Sequence, residues 1–260
     1  MNRYAQSLVE LAHKYQAAEA QVVRAYFRKP RRKEDHLRWL RAQAYKEHSA
    51  IQPLLAALVK LYSHIEKGGD RHQFEELSEK LADETKHARL IMDLLEEISG
   101  KEMTPKDLLW LPEDRKLAKI RGQYSKSYAG LLHGSENFTS RELRRKDEDL
   151  ERAVITLSEG GGGALYRVCS SFKAGGIKEK FASVFRVIYL DEVRHKDAGA
   201  RPLANLLRTR KDYERARRII REVSGQRLRM RNEQFGFPLS QKELRKLERD
   251  LTNDLPDPDF

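Results

Sequence analysis

The chain has 260 residues, 35% of them charged, a net charge of +11, eight prolines and a single cysteine. No apolar run approaches the roughly 18 residues that a membrane span needs, and one cysteine leaves no disulfide framework. Membrane-spanning and disulfide-stapled classes are thereby excluded, leaving a heavily solvated chain long enough to bury the core of one domain.

Helical periodicity dominates from end to end. Tyr4 to Phe27 is predicted as an amphipathic helix that stops before Lys29-Pro30-Arg31-Arg32. His36 to about Glu66 is the next, closed by Gly68-Gly69, and a third runs from about Asp70 to Ser99-Gly100. A connecting stretch of about forty residues follows, with a short helix opened by Thr104-Pro105. Thr139 to Glu142 has the form of a capping box and predicts a fourth long helix running to Lys173. Gly175-Gly176 break the chain before a fifth, Ile177 to about Leu207. From Arg208 to Arg231 ten Lys or Arg face only Asp212, Glu214 and Glu222, which predicts a long exposed helix with a solvated basic face. Nucleic acid, an anionic membrane surface or a phosphorylated carrier would also suit that charge density. Ser240 caps a last short helix before an acidic tail.

Two strings stand out, Asp83-Glu84-Thr85-Lys86-His87 and Asp191-Glu192-Val193-Arg194-His195. Both read D-E-x-[K/R]-H, a form expected by chance only about 0.04 times in such a chain. On a helix, Glu and His at i and i+3 project from one face, so each string aims a carboxylate and an imidazole at one point. Two more acids interrupt apolar stripes. Glu47 is the only acid in Leu40, Ala44, Glu47, Ile51, Leu54, Leu58, Leu61, and Glu159 lies in Ile155, Glu159, Gly162, Tyr166, Cys169, with Glu151 an alternative on that helix. A carboxylate in an apolar stripe is costly unless paired or metal-bound. About the Gly175-Gly176 turn, Glu159 and Glu192 are each some 16 residues away, so antiparallel helices bring them level.

The doubled motif resembles the carboxylate-bridged di-iron proteins of the ferritin-like superfamily, and its Asp-Glu-x-Arg-His form resembles their oxygen-activating branch. That resemblance implies an all-α, ferritin-like four-helix bundle of two antiparallel hairpins joined by a long crossover, in a single domain over residues 1–260. The bundle core would span 36–209, with an N-terminal helix at 4–28 and basic C-terminal helices at 208–251. It makes Glu47, Glu84, His87, Glu159, Glu192 and His195 the metal ligands, with Asp83 and Asp191 as supporting partners of the histidines. The implied cofactor is two iron ions, with Mn/Fe or Mn/Mn centres sharing the same ligands.

The expected function is oxidation of an organic, small-molecule or carrier-bound substrate by O₂, with an external electron donor. Gly160, Gly161, Gly162 and Gly163 would open a substrate pocket beside Glu159. Tyr166 and Tyr189 are candidates for electron transfer or for a hydrogen bond to bound oxygen, whereas Cys169 reads as a small buried apolar residue. Two rivals remain at this level. One is ferroxidase or peroxide-handling activity, and the other is nucleic-acid binding, as in a di-iron hydroxylase acting on tRNA. The N-terminus carries no secretory pattern, so the expected compartment is the cytoplasm, and a homodimer is the expected assembly.

Overall fold

The computed structural model describes residues 3–65, 71–124, 146–160, 162–173, 175–195, 200 and 202–253. The side chains of residues 64, 146–148, 162, 194, 195, 252 and 253 fall outside that description, as do the Thr139 capping box and Gly161. Every regular element among the described residues is helical, as the periodicity predicts. In chain order these are α1 (Arg3–Phe27), α2 (Lys33–Ile65), α3 (Arg71–Ser99), a 3-10 turn (Pro105–Asp107), α4 (Pro112–Tyr124), α5 (Lys146–Glu159), α6 (Gly162–Ser170), α7 (Ile177–His195), α8 (Leu203–Leu206), α9 (Arg210–Gln234) and α10 (Gln241–Asn253). The chain divides into two compact units, Arg31–Trp110 and the pair of segments Met1–Pro30 and Leu111–Phe260.

The first unit is the α2–α3 hairpin. Its antiparallel register is fixed at three levels. Lys33 Nζ donates to the Ser99 carbonyl at 3.2 Å, Glu47 Oε2 lies 3.7 Å from His87 Nδ1, and the Tyr62 and Phe74 rings are 6.3 Å apart. Residues rising along α2 thus meet residues descending along α3 without slippage. The end near Lys33 buries Trp39, Leu40, Ala42 and Ala44 from α2 and Ala88, Ile91, Leu94, Leu95 and Ile98 from α3. Beyond α3 the Thr104–Asp107 capping box forms the anticipated turn, and Trp110 stacks on Tyr45 at 5.5 Å and 20°.

The second unit is organised around α1 and α9, which sequence reading placed at the periphery. Their contact face joins Leu8, Leu11, Tyr15, Ala18 and Val22 to Tyr213, Ile219, Ile220, Val223 and Met230, with α5, α8 and α10 packed against it. The expectation of an exposed basic helix at 208–231 holds in its first half, where Arg208, Arg210, Lys211 and Arg218 are exposed, and is corrected in its second, where α9 is buried almost continuously from Val223 to Gln234. Four of its arginines are met by acids from other helices. Arg231 Nε donates to Glu19 Oε1 at 2.6 Å, and Arg227 Nη2 lies 3.6 Å from Glu19 Oε2. Arg215 binds Glu151, and Arg229 lies 2.8 Å from Glu248. Buried Glu233 accepts the Glu113 amide at 2.8 Å, which adds to the bonds that the Leu111 carbonyl takes from the Asp114 and Arg115 amides in the first turn of α4. A helix at 112–124 was absent from the sequence reading.

Two further corrections concern the later helices. The helix expected to run unbroken to Lys173 is interrupted, since α5 stops at Glu159, Gly160 forms a turn and α6 starts at Gly162. Four consecutive glycines inside a helix would cost about 3 to 4 kcal/mol against alanine, and the break takes Gly160 out of the helix while Gly162 and Gly163 open α6. The helix expected to reach Leu207 is described as α7 to His195, residues 196–199 lie outside the described residues, and Ala200 and Pro202 are in turns before a separate short α8.

Removing Glu19 strands two guanidinium groups in the core. Glu19→Ala is expected to lower unfolding stability by about 3 to 5 kcal/mol, read as a lower midpoint in urea. Cys169 is fully buried and burial pushes its thiol up. It should react with an aromatic disulfide reagent only in denaturant, and fast labelling of the native protein would contradict its placement.

Candidate metal centre

Three of the six anticipated ligands converge within the α2–α3 hairpin. One donor atom from each of Glu47, Glu84 and His87 lies within 4.8 Å of the others. The local reason is periodicity: Glu84 and His87 share a face of α3 one turn apart, and the hairpin register sets Glu47 opposite them. Counted from the helix ends at Ile65 and Arg71, Glu47 and His87 match to within about half a turn. Glu47 and His87 are only 6% and 2% exposed, while Glu84 is half-buried and forms the open side of the cluster.

The donor set is two carboxylates and an imidazole, which suits a divalent iron, manganese or zinc ion. Ligand atoms about 2.1 Å from a shared cation sit roughly 3.0 to 3.4 Å from each other. The observed 3.7 Å between Glu47 Oε2 and His87 Nδ1 needs a closure of only a few tenths of an ångström. The residues therefore fit a metal ion.

A fourth residue completes this half and was missed in the sequence. Gln43, one turn before Glu47 and 3% exposed, donates from Nε2 to Glu47 Oε1 at 2.7 Å. That bond holds one carboxylate oxygen and leaves Oε2 on the His87 side. The readable signal was a second polar residue four positions from a buried acid. Asp83 is held by Lys86 Nζ at 3.1 Å, so the acid before Glu84 is matched by a cation on its own helix. His48 is half-buried.

The other three anticipated ligands belong to the second unit. Glu159 closes α5 and is ion-paired with Arg121 of α4 at 3.2 Å. Glu192 is half-buried on α7, Asp191 beside it is buried at 3% exposure, and the His195 side chain lies outside the described residues. The alternative acid Glu151 is engaged by Arg215, with Nε at 3.1 Å from its carboxylate. Tyr166 is buried and stacks on Phe185 at 5.7 Å, which confirms that α6 and α7 fold back about the Gly175-Gly176 turn. Tyr189 is half-buried.

The glycine run divides in two. A Cβ at Gly160 would come within 3.1 Å of Gln16 Nε2, the far end of a flexible side chain of α1. A Cβ at Gly163 would meet nothing within 4 Å, so space is open there.

If Gln43 orients Glu47, Gln43→Leu should weaken Fe(II) or Mn(II) binding by about 10- to 100-fold in a competition titration, with helicity unchanged. Unaltered affinity would reduce Gln43 to a packing residue. Compared with known protein families, curated proteins and solved structures, the chain matches none.

Proposed function

We propose that the chain is a non-haem di-metal oxidoreductase of the ferritin-like type, using O₂ to oxidise an organic substrate. The observation that carries this reading is the convergence of Glu47, Glu84 and His87 on one point of the α2–α3 hairpin, with Glu47 and His87 buried. The second D-E-x-[K/R]-H string on α7 offers Glu192 and His195 in the same spacing, and Glu159 is the remaining carboxylate of the set. On this reading these six are the ligands that the resemblance implies, for two iron ions or for manganese in one or both positions.

Bound iron would supply the redox chemistry with oxygen, while electrons come from an external donor. The chain's own residues perform the rest. Glu47 and His87 exclude water by their burial, and Gln43 keeps Glu47 oriented. Half-buried Glu84 is the ligand with room to change its coordination, and the open space at Gly163 is the approach for a substrate. Tyr166, stacked on Phe185, and Tyr189, on the helix of the second motif, are the redox-capable side chains this reading assigns to the second unit.

The test is metal content by mass spectrometry on protein from iron-replete cells, alongside Glu84→Ala. About two iron ions per chain, lost in the variant, is the expected result. Manganese at the same stoichiometry would redirect the chemistry, and no metal after anaerobic Fe(II) reconstitution would overturn the reading. Loaded protein should then consume O₂ when given a reductant, and Glu84→Ala should not.

A further inference from the structure

Charge is divided unequally between the two units. Arg31–Trp110 holds 14 Lys and Arg against 15 Asp and Glu, whereas the other unit, acidic tail included, holds 37 against 25. Part of that positive excess gathers on α10. Lys242, Arg245, Lys246 and Arg249 are all exposed and stand at i, i+3, i+4 and i+7, which sets them in one stripe along the helix. Of the acids of α10, Glu243 accepts from the Ser240 amide and hydroxyl, Glu248 meets Arg229, and Asp250 lies one turn beyond Lys246.

The stripe borders an open hollow of about 770 Å³, lined among the described residues by Lys242, Arg245, Arg249, Gln241 and Glu248. At Gln241 it adjoins a smaller one of about 190 Å³ between α4, α9 and α10, where Lys116 and Arg229 join the buried amides of Gln226 and Asn232. Phe237 also lines the smaller hollow and is 54% exposed. Its φ of 59° is one that a bulky residue adopts only under constraint and that a glycine would hold freely. The constraint is Asn232, whose carbonyl takes the Phe237 amide at 2.7 Å and whose side chain binds both the amide and the carbonyl of Leu239. The turn therefore holds out an aromatic face at a backbone cost, in a hollow shared with two cations.

We infer that this α4–α9–α10 face binds a single-stranded nucleic acid, with phosphates along the α10 stripe and a base on Phe237. Five cations against two acids line the two hollows, and those acids, Glu113 and Glu248, are the ones held by Lys116 and Arg229. The surface thus complements a polyanion. An anionic membrane fits less well. A helix lying on a bilayer inserts its apolar face, but the apolar seam of α10, Leu244, Leu247 and Leu251, is spent on the core of its own unit. A duplex hides the base faces that an exposed ring stacks on, whereas a single strand offers them.

This inference does not depend on the metal reading, and RNA binding by Glu84→Ala should equal that of the native chain whether or not the variant holds metal. The test is fluorescence anisotropy of the full chain with a labelled single-stranded RNA of about 16 nucleotides and mixed sequence, repeated over a range of salt. The logarithm of the affinity is expected to fall linearly with the logarithm of salt concentration. Combined Lys242→Glu, Arg245→Glu and Arg249→Glu should weaken binding by roughly tenfold or more and flatten that slope. Phe237→Gly, which relieves the positive φ, should weaken binding by about 5- to 150-fold and leave the slope unchanged, as a stacking residue would and a phosphate contact would not. Both variants should keep native helicity. Absence of binding at low salt, unchanged affinity in either variant, or a preference for phosphatidylserine vesicles over the strand would overturn the proposal.

Discussion

A carboxylate at 6% exposure inside a two-helix hairpin is the constraint on which this chain's candidate chemistry depends. Glu47 is tolerable there only if its partners arrive with it as the hairpin closes. The register that places Lys33 against Ser99 and Tyr62 against Phe74 also brings Glu47 to His87, and Gln43 comes with it on the same helix face. A slip of one helical turn would displace Glu47 by about 5.4 Å and leave it buried among apolar groups. Folding of the hairpin and assembly of the cluster are thus one event. A metal ion would stabilise both, because the donors it holds belong to two different helices.

The second unit solves a comparable problem without any candidate metal. Glu19 on α1 neutralises Arg227 and Arg231 on α9, and the surrounding core is apolar. Such a network is worth little net stability against a hydrophobic alternative, but it is expensive to break from one side. It therefore ties the first helix to the ninth, and with it the segment that precedes the α2–α3 hairpin to the segment that follows it. The charge of the Arg208–Arg231 region is consequently divided. Five of its ten cations are matched, by Glu19, Glu151, Glu214 and Glu248. Only Arg227 and Arg231 among them are buried.

What the sequence made legible was local. The i, i+3 spacing of Glu84 and His87, the isolation of Glu47 in an apolar stripe and the capping signals at Thr104 and Ser240 all act within a few residues. What it hid was long-range or collective. Arg231 and Glu19 are 212 positions apart, and no local pattern announces that an arginine-rich helix will be buried because an acid on the first helix faces it. The helix at 112–124 escaped for a similar reason. Its apolar content is low, and its first turn is capped by Glu233 and its Glu113 side chain gripped by Gln226, both far along the chain. Gln43 was overlooked because an amide on a buried stripe reads as noise until its acceptor is placed beside it.

The Gly160–Gly163 run shows how a helix break changes the surroundings of a single acid. Because α5 ends at Glu159, that carboxylate sits at a helix C-terminus, where the aligned peptide dipoles present partial negative charge. A carboxylate there requires a cation, and Arg121 of α4 meets the need at 3.2 Å. An unbroken helix would have placed Glu159 in mid-helix, free of that repulsion and of the demand for a counter-charge.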